Sequence, residues 1–188
     1  MSRAFLHAWA FLSAALLAPA GLGATEVDAA RSGVGFSLYT RWGEVIDGTF
    51  PVLEGQLTRL ADGRQQVRLA LSAADVVIIG NVRHTQLTRG KGFFDAAQHP
   101  WIVFVSDPFD ARLLADGGQM PGELQIRGVQ RRESFSVLPA ECGRPALDCP
   151  VLATGKVDRS QYGITRWSVA VGHKVSFRLR IFEKEPAE

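Results

Sequence analysis

From Val34 to Ile181, apolar residues keep returning at every second position. Val34, Phe36 and Leu38 alternate with small or polar neighbours, and Phe50, Leu53, Gly55 and Leu57 follow. Val67, Leu69 and Leu71 form the next set, then Ile102, Phe104 and Ser106, Leu124 and Ile126, and Phe135 and Val137. Val175, Phe177, Leu179 and Ile181 close the series. Side chains of a β-strand point to opposite faces in turn, so period two predicts strands with one buried and one wet face. Turn residues separate the runs: Asp47-Gly48, Asp62-Gly63, Asp116-Gly117-Gly118 and Gly128. Seven or eight such strands, with no long helical pattern between them, predict an antiparallel barrel or sandwich. The stretch from Ser72 to Phe94 departs from the rule. Its continuation to Gln98 is polar and mixed, with Gly80, Gly90 and Gly92, and predicts one or two short helices in the 73–98 region over an end of the sheet. No repeat, low-complexity tract or linker divides the chain.

Eight strands closed into a barrel either fill their interior with side chains or enclose one small ligand. Alternation alone does not choose between these. Composition narrows the partners. The 188 residues are 46% hydrophobic, with 21 basic and 19 acidic side chains. That content is far from a disordered chain, and the near-balanced charge excludes a dense basic field for nucleic acid.

The N-terminus reads as an export signal. Arg3 is followed by an uncharged stretch to Thr25, with an apolar core from Ala8 to Ala18. Pro19 and Gly21 break it, and Ala18-Pro19-Ala20 has the A-x-A form of a cleavage site. The core is shorter than the ~20 apolar residues of a membrane span. Residues 1–20 are thus expected to be removed, with cleavage as late as 24 as the alternative. Residues 21–188, a chain of 168, remain as one domain. No later segment is apolar enough to cross a membrane. Export makes Cys142 and Cys149, in a Gly- and Pro-containing loop, a natural disulfide; their spacing fits neither a redox pair nor a zinc site.

Several segments resemble the YceI-like family, exported lipocalin-like proteins also described as polyisoprenoid-binding. The likeness runs from about Val27 to Phe182. Val27-Asp-Ala-Ala-Arg-Ser32 with Val34 and Phe36 resembles the family's opening strand, and Gly48-Thr-Phe50 with Gly55 its second. The most specific block is Phe93-Phe-Asp95, His99-Pro100, then Ile102, Phe104 and Ser106. Gly122-Glu-Leu-Gln-Ile-Arg-Gly128 is similar to its G-x-L-x-I-x-G strand, and Gly155-Lys-Val-Asp-Arg-Ser160 with Tyr162-Gly163 to its R-S-x-F/Y-G motif. The chain departs from the family at Asn81 to Leu87 and at Gln130-Arg-Arg132, and its Cys142/Cys149 loop is not general there.

The resemblance implies an eight-stranded antiparallel lipocalin-like barrel with a long apolar pocket. It also implies a periplasmic protein without catalysis or cofactor that holds an isoprenoid, of ubiquinone or polyprenyl type. Combined with the alternation, it names the expected lining: Phe36, Leu38, Phe50, Leu69, Leu71, Phe93, Phe94, Ile102, Phe104, Leu124, Ile126, Phe135, Val137, Val157, Phe177 and Leu179. A homodimer remains open.

The remaining candidates are weighed against plainer roles. His84, Asp95 and His99 offer acid–base groups for an enzyme acting on such a lipid, but their spacing matches no metal motif. Asp95 reads equally as a turn cap, and His99 as the residue before a proline-led strand. No G-x-S-x-G elbow or phosphate loop is present. Asp158-Arg159 reads as an ion pair, with a lipid head group as the alternative partner of Arg159. Phe93, Phe94, Trp42, Trp101 and Trp167 are either core plugs or pocket mouth. A third class of function is an interaction protein built on a filled barrel.

Overall fold

The computed structural model describes residues 23–185; the expected signal segment lies outside the described residues. Eleven strands form one sheet, and every pairing between them is antiparallel. In chain order they are β1 (Ala24–Glu26), β2 (Gly33–Thr40), β3 (Val45–Phe50), β4 (Leu53–Arg59), β5 (Gln65–Ser72) and β6 (Val77–Ile78). After helix α1 (Val82–Arg89) come β7 (Trp101–Ser106), the short α2 (Arg112–Asp116), β8 (Gly118–Ile126), β9 (Val129–Val137) and β10 (Val151–Asp158). A 3₁₀ turn (Arg159–Tyr162) leads into β11 (Val171–Ile181).

Eleven paired segments and an expected eight strands describe the same barrel. The sheet order is β1-β4-β5-β7-β8-β9-β10-β11-β2-β3-β6. Strands β3 and β4 lie near its two ends yet follow each other in the chain. Val34 pairs with Phe50 on one side of this junction, and Leu71 pairs with Leu53 on the other. Residues 45–59 are therefore one long strand that swaps partners at Pro51, and the ring closes through the chain itself. Pro51 has no N–H for a ladder, and the inward set shifts phase across it, from Ile46, Gly48 and Phe50 to Leu53, Gly55 and Leu57. An extra residue that shifts the phase bends a strand. The bend leaves a gap on each side. Strand β1 fills one: it pairs with β4, and its continuation bonds to the end of β11 through Asp28 N–H to the Phe182 carbonyl (2.9 Å) and Lys184 N–H to the Glu26 carbonyl (2.8 Å). Strand β6 covers the other against β3.

Local chemistry sets the turns. Strands β8 and β9 join through Arg127 and Gly128, both at positive φ (52° and 74°), as a two-residue hairpin with right-handed twist requires. Helix α1 starts at Asn81, whose side chain accepts from the His84 N–H (2.9 Å), a standard N-cap. It closes one end of the barrel with Thr85 and Thr88 turned inward. The expected short helix is thus there, preceded by β6. Cys142 and Cys149 are bonded in the loop before β10, with Cα atoms 6.0 Å apart.

Candidate functional site

Chain direction fixes the two ends of the barrel. Strands β2, β5, β8 and β10 run toward one end, where the β2–β3 turn, α1, residues 90–100 and the loop 163–170 meet. The other end carries β1, α2, the disulfide loop and the chain after β11. Between them runs a chain of phenylalanine rings. Phe50 touches Phe36 (centroids 5.3 Å apart), Phe36 touches Phe177 (6.2 Å), Phe177 touches Phe135 (6.4 Å) and Phe135 touches Phe104 (4.9 Å).

This belt divides the interior into two cavities, where the resemblance implied one long pocket. The larger, about 310 Å³, opens at the α1 end. Phe36, Leu38, Phe93, Phe94, Ile126 and Val157 line it. The smaller, about 90 Å³, lies beyond the belt and is lined by Leu69, Leu71, Ile102, Phe104, Leu124, Phe135, Val137 and Leu179. Phe177 lines both. Of the sixteen expected lining residues, only Phe50 lines neither; it is 1% exposed and packs against Phe36 and Phe94. Bulky rings at the middle of the barrel, which period two cannot resolve along the axis, account for the division.

The polar groups on the larger cavity are few: Thr40, Glu44, His84, Thr88 and Arg159. Three residues that sequence reasoning left open take definite places. Trp42 and Trp167 sit at its mouth, whereas Trp101 lines neither cavity and belongs to the wall. Leu87 of α1 and Phe109, Met120 and Glu183 of the smaller cavity were missed. Leu87 lies in a mixed polar helix, and Phe109 and Glu183 lie beside turns, where alternation carries no signal; Met120 stands in β8 in phase with Leu124 and Ile126, so the alternation of that strand could have found it.

Arg159 corrects the ion-pair reading given to it. It does not pair with Asp158. It is 3% exposed and spends its guanidinium on backbone carbonyls. Its Nε donates to Gly172 (2.9 Å), Nη1 to Ile164 and Arg166 (2.8 Å each), and Nη2 to Val171 (2.9 Å). The group also lies over the Phe93 ring, 5.6 Å from its centroid. Four bonds from one fork tie the 163–170 loop to the barrel mouth. Burial lowers the Arg159 pKa, which is the cost of placing a cation there. Asp158 instead accepts from the Ser160 N–H and hydroxyl and pairs with Lys174 at 3.3 Å. Its hydrogen bonds to Ser160 lower its pKa. Beside it Tyr162, 1% exposed, donates to Glu133 (2.9 Å), and burial pushes its phenol far above the usual range.

His84, Asp95 and His99 do not converge on a cavity. His84 lines the larger one; Asp95 and His99 line neither. Asp95 holds a turn at positive φ, its carbonyl accepting from Gln98 and His99. Among the described residues no group of three or more His, Cys, Asp or Glu is placed to hold a metal, and no helix is long and apolar enough to cross a membrane.

The YceI-like domain matches residues 26–182, the whole barrel. The chain belongs to the YceI-like family. Among the solved structures that share its fold are two from bacteria. Burkholderia cenocepacia BcnA superposes with a TM-score of 0.66 at 19% identity, covering 82% of this chain and 98% of its own. A polyisoprenoid binding domain from Saccharophagus degradans, implicated in plant cell wall breakdown, gives 0.64 at 15% identity, covering 88% and 99%. At such identities the likeness of this YceI-like chain to either is one of fold. No curated protein matches it.

Proposed function

We propose that this YceI-like barrel binds an isoprenoid lipid, of ubiquinone or polyprenyl type, and sequesters or carries it in the periplasm without chemical change. The observation that carries this reading is the larger cavity: about 310 Å³, apolar in depth, with its polar groups few and its mouth at the surface. Its size lies at the lower end of small-molecule pockets, ~300–1,000 Å³. An isoprenoid tail gains about 0.8 kcal/mol for each CH₂ moved from water into such a lining. The tail lies against Phe36, Leu38, Phe94 and Ile126, and the head stays near Thr40 and His84. A chain too long for this cavity has to displace the Phe177 ring to reach the smaller one. The phenylalanine belt thus makes chain length the natural basis of selection.

The polyisoprenoid-binding description of the Saccharophagus degradans domain supports the ligand class. An acid–base reaction needs its groups together, and only His84 of the three candidates meets the cavity, so binding is favoured over catalysis. The test is native mass spectrometry of the protein purified from an exporting host, followed by lipid extraction. A bound isoprenoid at one per chain is expected. A protein that arrives empty and takes up neither quinones nor polyprenyl alcohols from detergent would sink this reading.

A further inference from the structure

The end of the barrel where the larger cavity opens presents apolar side chains to water. Val169 is 80% exposed, Val82 76%, Trp42 74% and Ile79 64%. They come from three separate elements: the β2–β3 turn, the β6–α1 segment and the loop before β11. Contacts tie the first of these to the last. The Arg41 N–H donates to the Ala170 carbonyl (2.9 Å) and its Nε to Ser168 (3.2 Å). Arg166 lies against Gly92, where an added Cβ would sit 2.4 Å from its side chain. Isolated exposed apolar residues need no explanation, but several on one rim mark an interaction site.

Charge is segregated along the barrel axis. The connections at this end (41–44, 73–100, 127–128 and 159–170) hold seven Arg or Lys against three Asp or Glu. The connections at the other end (27–32, 60–64, 107–117, 138–150 and 182–185) hold five against nine. The distant end neutralises its charges locally, as in Arg64–Asp62, Arg112–Asp110 and Arg144–Asp148. At the rim Arg83 and Lys91 are exposed and form no salt bridge among the described residues, and Arg166 lies beside Trp167 (5.7 Å to its ring centroid). Tryptophan and long cations beside aliphatic residues are what the headgroup region of a bilayer accepts. The net charge of +2 conceals this polarity.

We propose that the cavity rim docks on an anionic phospholipid surface. Electrostatic attraction orients the barrel with the mouth toward the bilayer. Trp42, Val82 and Val169 then enter the headgroup boundary, and the cavity opens onto lipid instead of water. The inference rests on the rim's own exposure and charge. Its link to ligand transfer rests on the function proposed above.

The test is vesicle co-sedimentation of the mature protein. One set of vesicles contains phosphatidylglycerol and phosphatidylethanolamine; the other is pure phosphatidylcholine. Binding to the first, weakening as salt rises, is expected. Quenching of Trp fluorescence by brominated acyl chains should accompany it. A basic side chain near such a surface is worth about fivefold in affinity, so R83A with K91A should bind roughly 25-fold more weakly. R64A with R112A, at the far end, should bind as the parent does. V169S with I79S should weaken binding without changing its salt dependence. Absence of binding to anionic vesicles at low salt overturns the inference and leaves a protein as the occupant of the rim. Equal effects of the rim Arg83/Lys91 pair and the far-end Arg64/Arg112 pair also overturn it. Uptake of quinones and polyprenyl alcohols from detergent scores the ligand separately: docking by a protein that arrives empty and takes up neither upholds this inference and refutes the isoprenoid reading alone.

Discussion

Among the described residues Phe177 is the one side chain that lines both cavities, so replacing it by alanine should join them. The ring is 6% exposed and lies 6.2 Å from Phe36 and 6.4 Å from Phe135. Truncating a buried phenylalanine costs about 3–5 kcal/mol, including the cavity left behind. For a domain of this size each kcal/mol moves Tm by about 2–4 °C, which gives a fall of roughly 6–20 °C. Binding should change in the opposite sense for long ligands. The spaces of about 310 and 90 Å³ become continuous with the volume the ring vacates. A tail that stopped at the ring can then extend beyond it. At about 0.8 kcal/mol per buried CH₂, a further five-carbon unit gains up to roughly 4 kcal/mol. The assay is competition against a fluorescent polyene by prenyl alcohols of increasing length, with thermal unfolding in parallel. F177A should shift the preferred length upward, and the longer alcohols should restore part of the lost Tm. F177L, which opens the belt less, supplies the comparison if F177A folds poorly. If both variants keep the parent's length profile, or lose affinity equally for all lengths, Phe177 does not divide the site and the argument from the belt fails.

Other consequences follow from the same geometry. Arg159→Met leaves the Ile164, Arg166, Val171 and Gly172 carbonyls without their donors; stability should fall by about 3 kcal/mol or more, and hydrogen exchange should accelerate in residues 163–170. Gly48→Val should cost about 1–3 kcal/mol by overpacking, read by denaturant titration, because a Cβ there would sit 2.3 Å from the Phe36 ring; an unchanged midpoint would show that the ring moves freely. Glu183 lines the smaller cavity, and burial raises its pKa above 4.5. The folded state therefore holds its proton more tightly: this contribution to stability is full below 4.5 and is lost as pH rises through the raised value. Glu183→Gln should accordingly gain stability relative to the parent on the high-pH side of that window and not below it, as measured by Tm against pH.

The strand set was legible because burial on one face writes period two into each run. The phase slip at Pro51 was also present in the sequence, as Phe50 and Leu53 both being apolar. It was read there as one continuous run, since a bend and a simple bulge leave the same trace. Strands β1 and β6 were not readable. They are two or three residues long and exist to fill the gaps left by that bend, a requirement of the tertiary fold alone. The lining was mostly readable for the same reason as the strands. What alternation lacks is a coordinate along the barrel axis, so it could not tell that the inward phenylalanines share one level and split the interior. The charge polarity was equally hidden, because composition sums the two ends and only topology separates them.

The belt also explains glycines that stand out in the motifs. Phe36 pairs with Phe177 and Phe177 with Gly155, while Gly155 lies beside the Phe135 ring and Gly122 beside the Phe104 ring. Small residues beside large rings are what the interior of a small barrel requires if its rings are to fit. Each small position receives a neighbouring ring. A Cβ at Gly155 would lie 2.5 Å from Phe135, and one at Gly122 2.6 Å from Phe104. Gly48, on the other side of Phe36 and paired with it, does the same for that ring. These three glycines need no positive φ: they are there for space. The segments Gly48-Thr-Phe50, Gly122 to Gly128 and Gly155 to Ser160 are therefore parts of one packing solution, set in different strands. It places five rings across the barrel and leaves an open cavity on the α1 side. Filling any of the three seats should disturb the cavity through a ring, without the substituted residue touching a ligand.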